Sequence, residues 1–332
     1  MQQGDRAADQ RDYAAAVEAF SRVIELDPDD AKAYNNRGVA YFHKTEFDKA
    51  IADFSQALDL DPKDEKACYN RAMAYGMTGD SRNALTDLSN AIELDPNDAK
   101  AHEERGLTYA VLGDFDSALT DLGAAIQLEP KSVDNYTNRG AVYAQKGDND
   151  QALADLTEAI QLEPGKDQLY SNRGYAYLNK GDNDGAIADF TKAIELNPRK
   201  DEPYCKRGFA YANKGDYTRA LADFSQALEI DPRNSEACND QAWILATCPQ
   251  EALRNGKKAL QEATQACELS GWKNAPAIDT LAAAYAEAGD FDNAVKWETA
   301  YLKTPNLSPS DASDGQNRLA LYEAHEPYHS AK

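Results

Sequence analysis

The chain has 332 residues and a formal charge of −22, from 57 acidic against 35 basic side chains. That balance excludes the clustered Lys and Arg of a nucleic-acid footprint, and no stretch approaches the ~20 apolar residues of a membrane span. Five cysteines (Cys68, Cys205, Cys238, Cys248, Cys267) without a C-x-x-C pair argue against a disulfide framework or a zinc site.

Met1 to Gln10 is polar and has no apolar core, so no secretory signal is read there and the cytoplasm is the default compartment. From Pro28 onward a proline recurs every 34 residues, at Pro62, Pro96, Pro130, Pro164, Pro198 and Pro232. Such a period signals a helical solenoid. Counting back from Pro28, Gly4 falls on the repeat's glycine position, so residues 1–30 form a partial unit. The N-terminus looks truncated, which leaves room for a leader, an anchor or another repeat before Met1.

Within the unit 31–64, Tyr34, Gly38 and Tyr41 recur at helical spacing, and Phe47, Ala50, Phe54 and Ala57 mark a second helix. Later units place Gly then Asp between the two, as in Gly147-Asp148, Gly181-Asp182 and Gly215-Asp216. The glycine suits a left-handed helix end, and the aspartate caps the helix that follows. Asp61-Pro62 and its equivalents close each unit, because proline cannot continue the preceding helix. A single hairpin cannot bury its own apolar face, so neighbours must stack around one continuous core.

Full units are expected at 31–64, 65–98, 99–132, 133–166, 167–200 and 201–234. They follow the line R-G-x-x-Y, G-D, A-[IL]-x-D-[FL], A-[IL], P. This pattern resembles the tetratricopeptide repeat over nearly the whole chain. One departure is arginine where the family usually has leucine, at Arg37, Arg71, Arg105, Arg139, Arg173 and Arg207. Each is accompanied by an aspartate in the second helix: Asp53, Asp87, Asp121, Asp155, Asp189 and Asp223. Antiparallel helices place these positions opposite one another, so a ladder of Arg–Asp pairs is expected inside the hairpins.

The rhythm then changes. Residues 235–274 read as a stretched, divergent unit and 275–308 as a last repeat, similar to the pair that closes many bacterial tetratricopeptide proteins. Residues 309–332 are expected to form a capping helix and tail, with Asp314 to Ala324 covering the last apolar edge. Residues 1–308 would then be one continuous solenoid. The implied fold is all-α, a right-handed superhelix of stacked helix-turn-helix repeats.

The resemblance also implies that the first helices line a concave groove. Its second positions are Lys32, Lys66 and Lys100, then Asp134, Gln168, Glu202 and Glu236, so the groove would run from basic to acidic. Asn36, Asn70, Asn138 and Asn172 occupy sixth positions, where an amide can grip the backbone of an extended peptide. The ninth positions are apolar, among them Met73, Tyr175, Phe209 and Trp243; with Phe42, Tyr69 and Met77 they would form an apolar stripe. The lysine-and-asparagine pattern that clamps chaperone carboxylates is absent from the fifth and ninth positions.

His325-Glu326-Pro327-Tyr328-His329 matches H-E-x-x-H by letter, but Pro327 opposes the continuous helix that this zinc motif requires. Cys238 and Cys267 are expected to face each other as small buried residues, their pairing left open. The reading is a non-catalytic protein–protein interaction scaffold, without cofactor or metal, that binds an extended or helical peptide in the concave groove. Its partner is a protein or peptide of unknown identity, not nucleic acid, and the chain itself does not insert in a membrane. The alternatives are an adaptor within a larger enzyme or membrane-associated assembly, or self-association of a normally monomeric chain through the open N-terminal repeat.

Overall fold

Two local signals recur along the chain and generate its helix pairs. An aspartate or other short polar residue accepts a hydrogen bond from the first turn of most helices, as Asp30 does from the Ala33 amide at 3.0 Å. In the regular hairpins a left-handed residue then ends the first helix: Gly181 has φ +81°, and Asp182 next to it caps the following helix from the Gly185 amide at 2.9 Å. In the hairpin of 31–64 the left-handed position is Thr45, at φ +60°, where the later units have glycine.

The computed structural model describes residues 1–330, and among them only helices, turns and loops occur, with no strand. Two compact units divide the chain, Met1–Pro164 and Gly165 onward. The first contains α1 (Gln2–Asp9), α2 (Tyr13–Leu26), α3 (Ala31–His43), α4 (Phe47–Leu60), α5 (Glu65–Thr78) and α6 (Ser81–Leu94). It continues through α7 (Ala99–Val111), α8 (Phe115–Leu128), α9 (Val133–Lys146) and α10 (Asn149–Leu162). The second contains α11 (Asp167–Lys180), α12 (Asn183–Leu196), α13 (Asp201–Asn213), α14 (Tyr217–Ile230) and α15 (Ser235–Thr247). After a 3-10 turn at Glu251–Leu253 come α16 (Gly256–Leu269), α17 (Ala275–Glu287), α18 (Phe291–Tyr301) and α19 (Pro309–Glu323). No helix among the described residues is long and apolar enough to cross a membrane.

Inside each hairpin the helices approach through glycine. A Cβ placed on Gly38 would lie 2.6 Å from the Phe54 ring, and one on Gly174 2.9 Å from the Phe190 ring. That clash accounts for the glycine of R-G-x-x-Y, and Gly4 meets Phe20 in the same way. Alanines at the flanking positions (Ala16, Ala50, Ala84, Ala118, Ala152, Ala186, Ala220) are completely buried, so small side chains set the spacing throughout.

The Arg–Asp ladder is present in all six regular hairpins. Arg37 donates from Nε and Nη2 to the two oxygens of Asp53 at 2.7 and 2.8 Å, and Arg139 does the same to Asp155. The arginine has a second use. Its Nη1 reaches back to a hydroxyl in the preceding hairpin: Arg37 to Ser21 at 3.1 Å, Arg71 to Ser55 at 3.0 Å, Arg105 to Ser89 at 3.2 Å and Arg207 to Thr191 at 3.1 Å. Each of these four arginines therefore fixes the register within one hairpin and between two. Gln241 replaces the arginine in the stretched unit and keeps the second link, donating to Ser225 at 2.7 Å.

Gly123 stands where this hydroxyl would be for Arg139, and a Cβ there meets only Arg139 Nη1, at 3.8 Å. Gly123→Ser is expected to stabilise the first unit by about 1–2 kcal/mol, combining helix propensity with a charge-assisted hydrogen bond. Gly123→Ala gains propensity alone. Thermal melts in which Ser does no better than Ala would show that the hydroxyl link contributes nothing.

The capping helix begins at Pro309, where the expected cap-and-tail segment starts, and five residues before Asp314. Ser308 accepts from the Asp311 amide at 3.1 Å, and Pro309 occupies the first turn, so the local start signal lies upstream. Tyr322 of α19 is completely buried against Ala282, Ala286 and Ala294.

Candidate functional site

The first helices present the residues singled out for the groove. In the first unit, Phe42, Tyr69, Asn70 and Met73 are brought together with Val39 and His43 around a pocket of about 240 Å³, floored by Phe54. Successive first helices α3 and α5 supply its walls. Burial pushes the Tyr69 hydroxyl up to about 12, so the ring stays neutral. Met77 does not join the pocket; it is 59% exposed on the next turn of α5.

The asparagines are already engaged. Asn70 donates to Asn35 at 3.0 Å, Asn36 to Asp5 at 3.3 Å, and Asn138 to Glu103 at 2.7 Å. Each amide thus crosses to the preceding hairpin and keeps one N–H and part of its carbonyl for another partner. Beside Asn138, burial raises the carboxyls of Glu103 and Glu104, and Glu103's charge adds to the rise at Glu104.

The lysines lie at the edge between hairpins. Lys32 and Lys66 border an open recess together with Lys63 and with Asp27, Asp29, Asp30, Asp61, Asp64 and Glu65. Six carboxylates face three ammonium groups there, because the same loops that carry the lysines carry the helix caps. The local field is acidic, contrary to the basic end expected from Lys32, Lys66 and Lys100 alone. Lys100 is exposed at the start of α7.

In the second unit, Asn172 accepts from Gln168 at 3.1 Å. Tyr175 packs edge-on to Phe190, with centroids 5.6 Å apart, and donates its hydroxyl to Glu202 at 2.6 Å. It therefore ties α11 to α13, and burial with this carboxylate raises its pKa strongly. Phe209 is 41% exposed and borders a second pocket of about 240 Å³ with Asn213, Tyr217, Asp240, Trp243 and Thr247. Burial raises the Asp240 carboxyl to about 6.

Among the described residues one group has atoms close enough to hold a metal: Cys205, Glu236 and Asp240, within 4.8 Å of one another. Lys206 pairs with Glu236 and Asn239 donates to Asp240, so both carboxylates already have hydrogen-bond donors. Burial also pushes the Cys205 thiol far up, which opposes the thiolate a metal needs. The histidines of the H-E-x-x-H string are held apart: His325 stacks on Phe291 at 5.2 Å and His329 contacts Glu287 at 2.8 Å. Cys238 and Cys267 share one core as free thiols, each raised to about 11 by burial.

Models of the tetratricopeptide repeat match residues 1–65, 65–98, 109–147, 142–181, 175–215 and 202–234, together more than half of the chain. No curated protein sequence matches it. Among solved structures, the C-terminal part of a TPR repeat-containing protein from Cytophaga hutchinsonii is 18% identical with a TM-score of 0.62; the match covers 71% of this chain and 97% of that one. A tetratricopeptide repeat protein from Parabacteroides merdae is 22% identical with a TM-score of 0.55, covering 72% and 95%. YrrB, described as a TPR protein with an unusual peptide-binding site, is 24% identical with a TM-score of 0.50, covering 57% and 97%. At these identities the likeness is one of fold.

Proposed function

The chain belongs to the tetratricopeptide repeat family, whose members generally mediate protein–protein interactions, and from that premise we propose that it is a non-catalytic scaffold that captures an extended or helical peptide segment along its first helices. The observation that carries this reading is the pocket between α3 and α5. It is apolar on its walls, open to solvent, and flanked by an asparagine with hydrogen-bonding capacity to spare. A side chain of the partner enters between Phe42 and Met73, while the Asn70 amide holds the adjacent backbone. The acidic loops at the unit edges favour a neutral or basic segment and oppose an acidic one.

Affinity capture from the source cell tests this, comparing the unmodified chain with Tyr69→Ala/Met73→Glu. Both positions are part-buried, so melting curves of the two proteins are compared first and capture is read at a temperature where the variant is folded. A partner retained by the parent and weakened at least about tenfold by the double substitution supports the pocket, since losing an anchor residue typically costs about 2 kcal/mol or more. Equal retention by both proteins would move recognition away from the first helices.

A further inference from the structure

Beyond α19 the chain turns back on itself and lies across the first helices of the last two hairpins. The Ser330 amide donates to the Thr247 carbonyl at 2.8 Å, one of the terminal carbonyls that α15 cannot pair internally. His329 Nε2 lies 2.8 Å from Glu287 Oε2 at the end of α17. The Tyr328 ring sits 6.1 Å from that of Trp243, and the Arg318 guanidinium is 5.8 Å from both. Tyr328 also packs beside the cluster of Ala282, Ala286 and Tyr322.

These contacts have the composition of peptide recognition: a main-chain hydrogen bond, an aromatic anchor and a polar side-chain contact. They also use the first-helix face. Trp243 occupies the ninth position of its unit, the row to which Met73 and Phe209 belong. Ser330 borders the pocket formed by Phe209, Asn213, Tyr217 and Asp240, so the surface continues along α13.

We propose that the face formed by Trp243, Thr247 and Glu287 is a docking surface for an extended Pro–aromatic–polar segment, and that residues 327–330 of the chain occupy it as a tethered competitor. An outside segment of the same chemistry must displace them. A tether holds its segment at an effective concentration of about a millimolar, so even a weak contact keeps the site closed until a tighter or longer segment arrives. This inference rests on the reading that first-helix faces are the binding surface, and extends it to a second, self-occupied site.

The test compares the full chain with one ending at Glu326. That end point keeps the hydrogen bonds of the His325 and Glu326 amides to Tyr322 and Leu321, which close α19. The probe is a capped synthetic peptide with the sequence of residues 324–330, and the readout is the Trp243 indole resonance. Three results are expected together. The resonance shifts when the chain ends at Glu326; the peptide returns it saturably towards its original position; and the full chain binds the peptide about tenfold or more weakly. Tyr328→Ala in the full chain should reproduce the first shift. An indole resonance unchanged by the shorter chain, a peptide that shifts both proteins alike, or one without effect at about 10 mM would each overturn the proposal. Because Tyr69 and Met73 lie in the other unit, failure here leaves the capture experiment above to stand or fall separately.

Discussion

Asp155→Ala is expected to destabilise the first unit by about 3–5 kcal/mol, the range for removing one partner of a largely buried ion pair. The Asp155 side chain is 9% exposed and accepts two parallel bonds from Arg139. Losing it strands a guanidinium between helices, over the rings of Tyr136 and Tyr143 at 6.0 Å. Asp155 raises the arginine pKa against the opposing effect of burial, and without it the intrinsic basicity of the guanidinium still keeps the stranded group charged. The penalty therefore comes from the uncompensated charge. For that reason Arg139→Met/Asp155→Leu should be less destabilising than Asp155→Ala alone. Denaturant unfolding of the three variants checks this, and hydrogen exchange should place the loosened amides in α9 and α10. An Asp155→Ala chain within about 0.5 kcal/mol of the parent would mean that the ladder specifies register without stabilising it.

Arg318→Met is expected to undock the capping helix, with a loss of about 3–5 kcal/mol that grows with pH. Arg318 Nε lies 2.8 Å from Asp279 and 3.4 Å from Glu298, and the Glu298 side chain is fully buried. Burial raises the Glu298 carboxyl far above its ordinary range, with the Asp279 charge adding to the rise and Arg318 opposing it; Asp279 is raised chiefly by burial too. A carboxyl raised in the folded state holds its proton over a window in which the unfolded chain has released it. Folding then takes up protons, and stability falls as pH rises from the ordinary carboxylate range near 4 towards the raised value. Removing the arginine lifts both carboxyls further and steepens that fall. Melts at pH 5 and pH 8 should therefore show a larger deficit at pH 8, and adding Glu298→Gln to Arg318→Met should recover much of it. A deficit of equal size at both pH values would assign the effect to lost packing of the arginine stem instead.

Much of this architecture could be read from the chain because its determinants are local and repeat. The 34-residue beat of Pro28 to Pro232 locates the hairpins, and the Gly-Asp pairs locate their turns. The Arg–Asp ladder was legible for a related reason: Arg37 and Asp53 recur at one fixed separation in six units. The boundary of α19 was harder. Its cap at Ser308 is a single local signal outside the repeat, with no other unit to corroborate it.

The candidate site was legible only in part. Position alone grouped Phe42, Tyr69, Asn70 and Met73, and the fold assembles them around one pocket. What position could not supply was the company each side chain keeps. Asn70 is shared with Asn35, Tyr175 is tied to Glu202, and the lysines of the second positions sit among the carboxylates of the neighbouring caps. Residues 325–330 carried a letter match to a zinc motif, while their actual partners, Phe291, Trp243, Glu287 and Thr247, come from three earlier helices.

By itself the sequence determined the helical hairpins, their caps and turns, and the pairing of charges inside each one, because backbone preference and hydrophobic period act over a few residues and were written repeatedly. The tertiary structure alone decided which polar groups are free to bind, how Arg318 answers two buried carboxylates, and where the segment after α19 lies. Those outcomes depend on burial and on distances between residues tens of positions apart, and a linear pattern does not carry such distances.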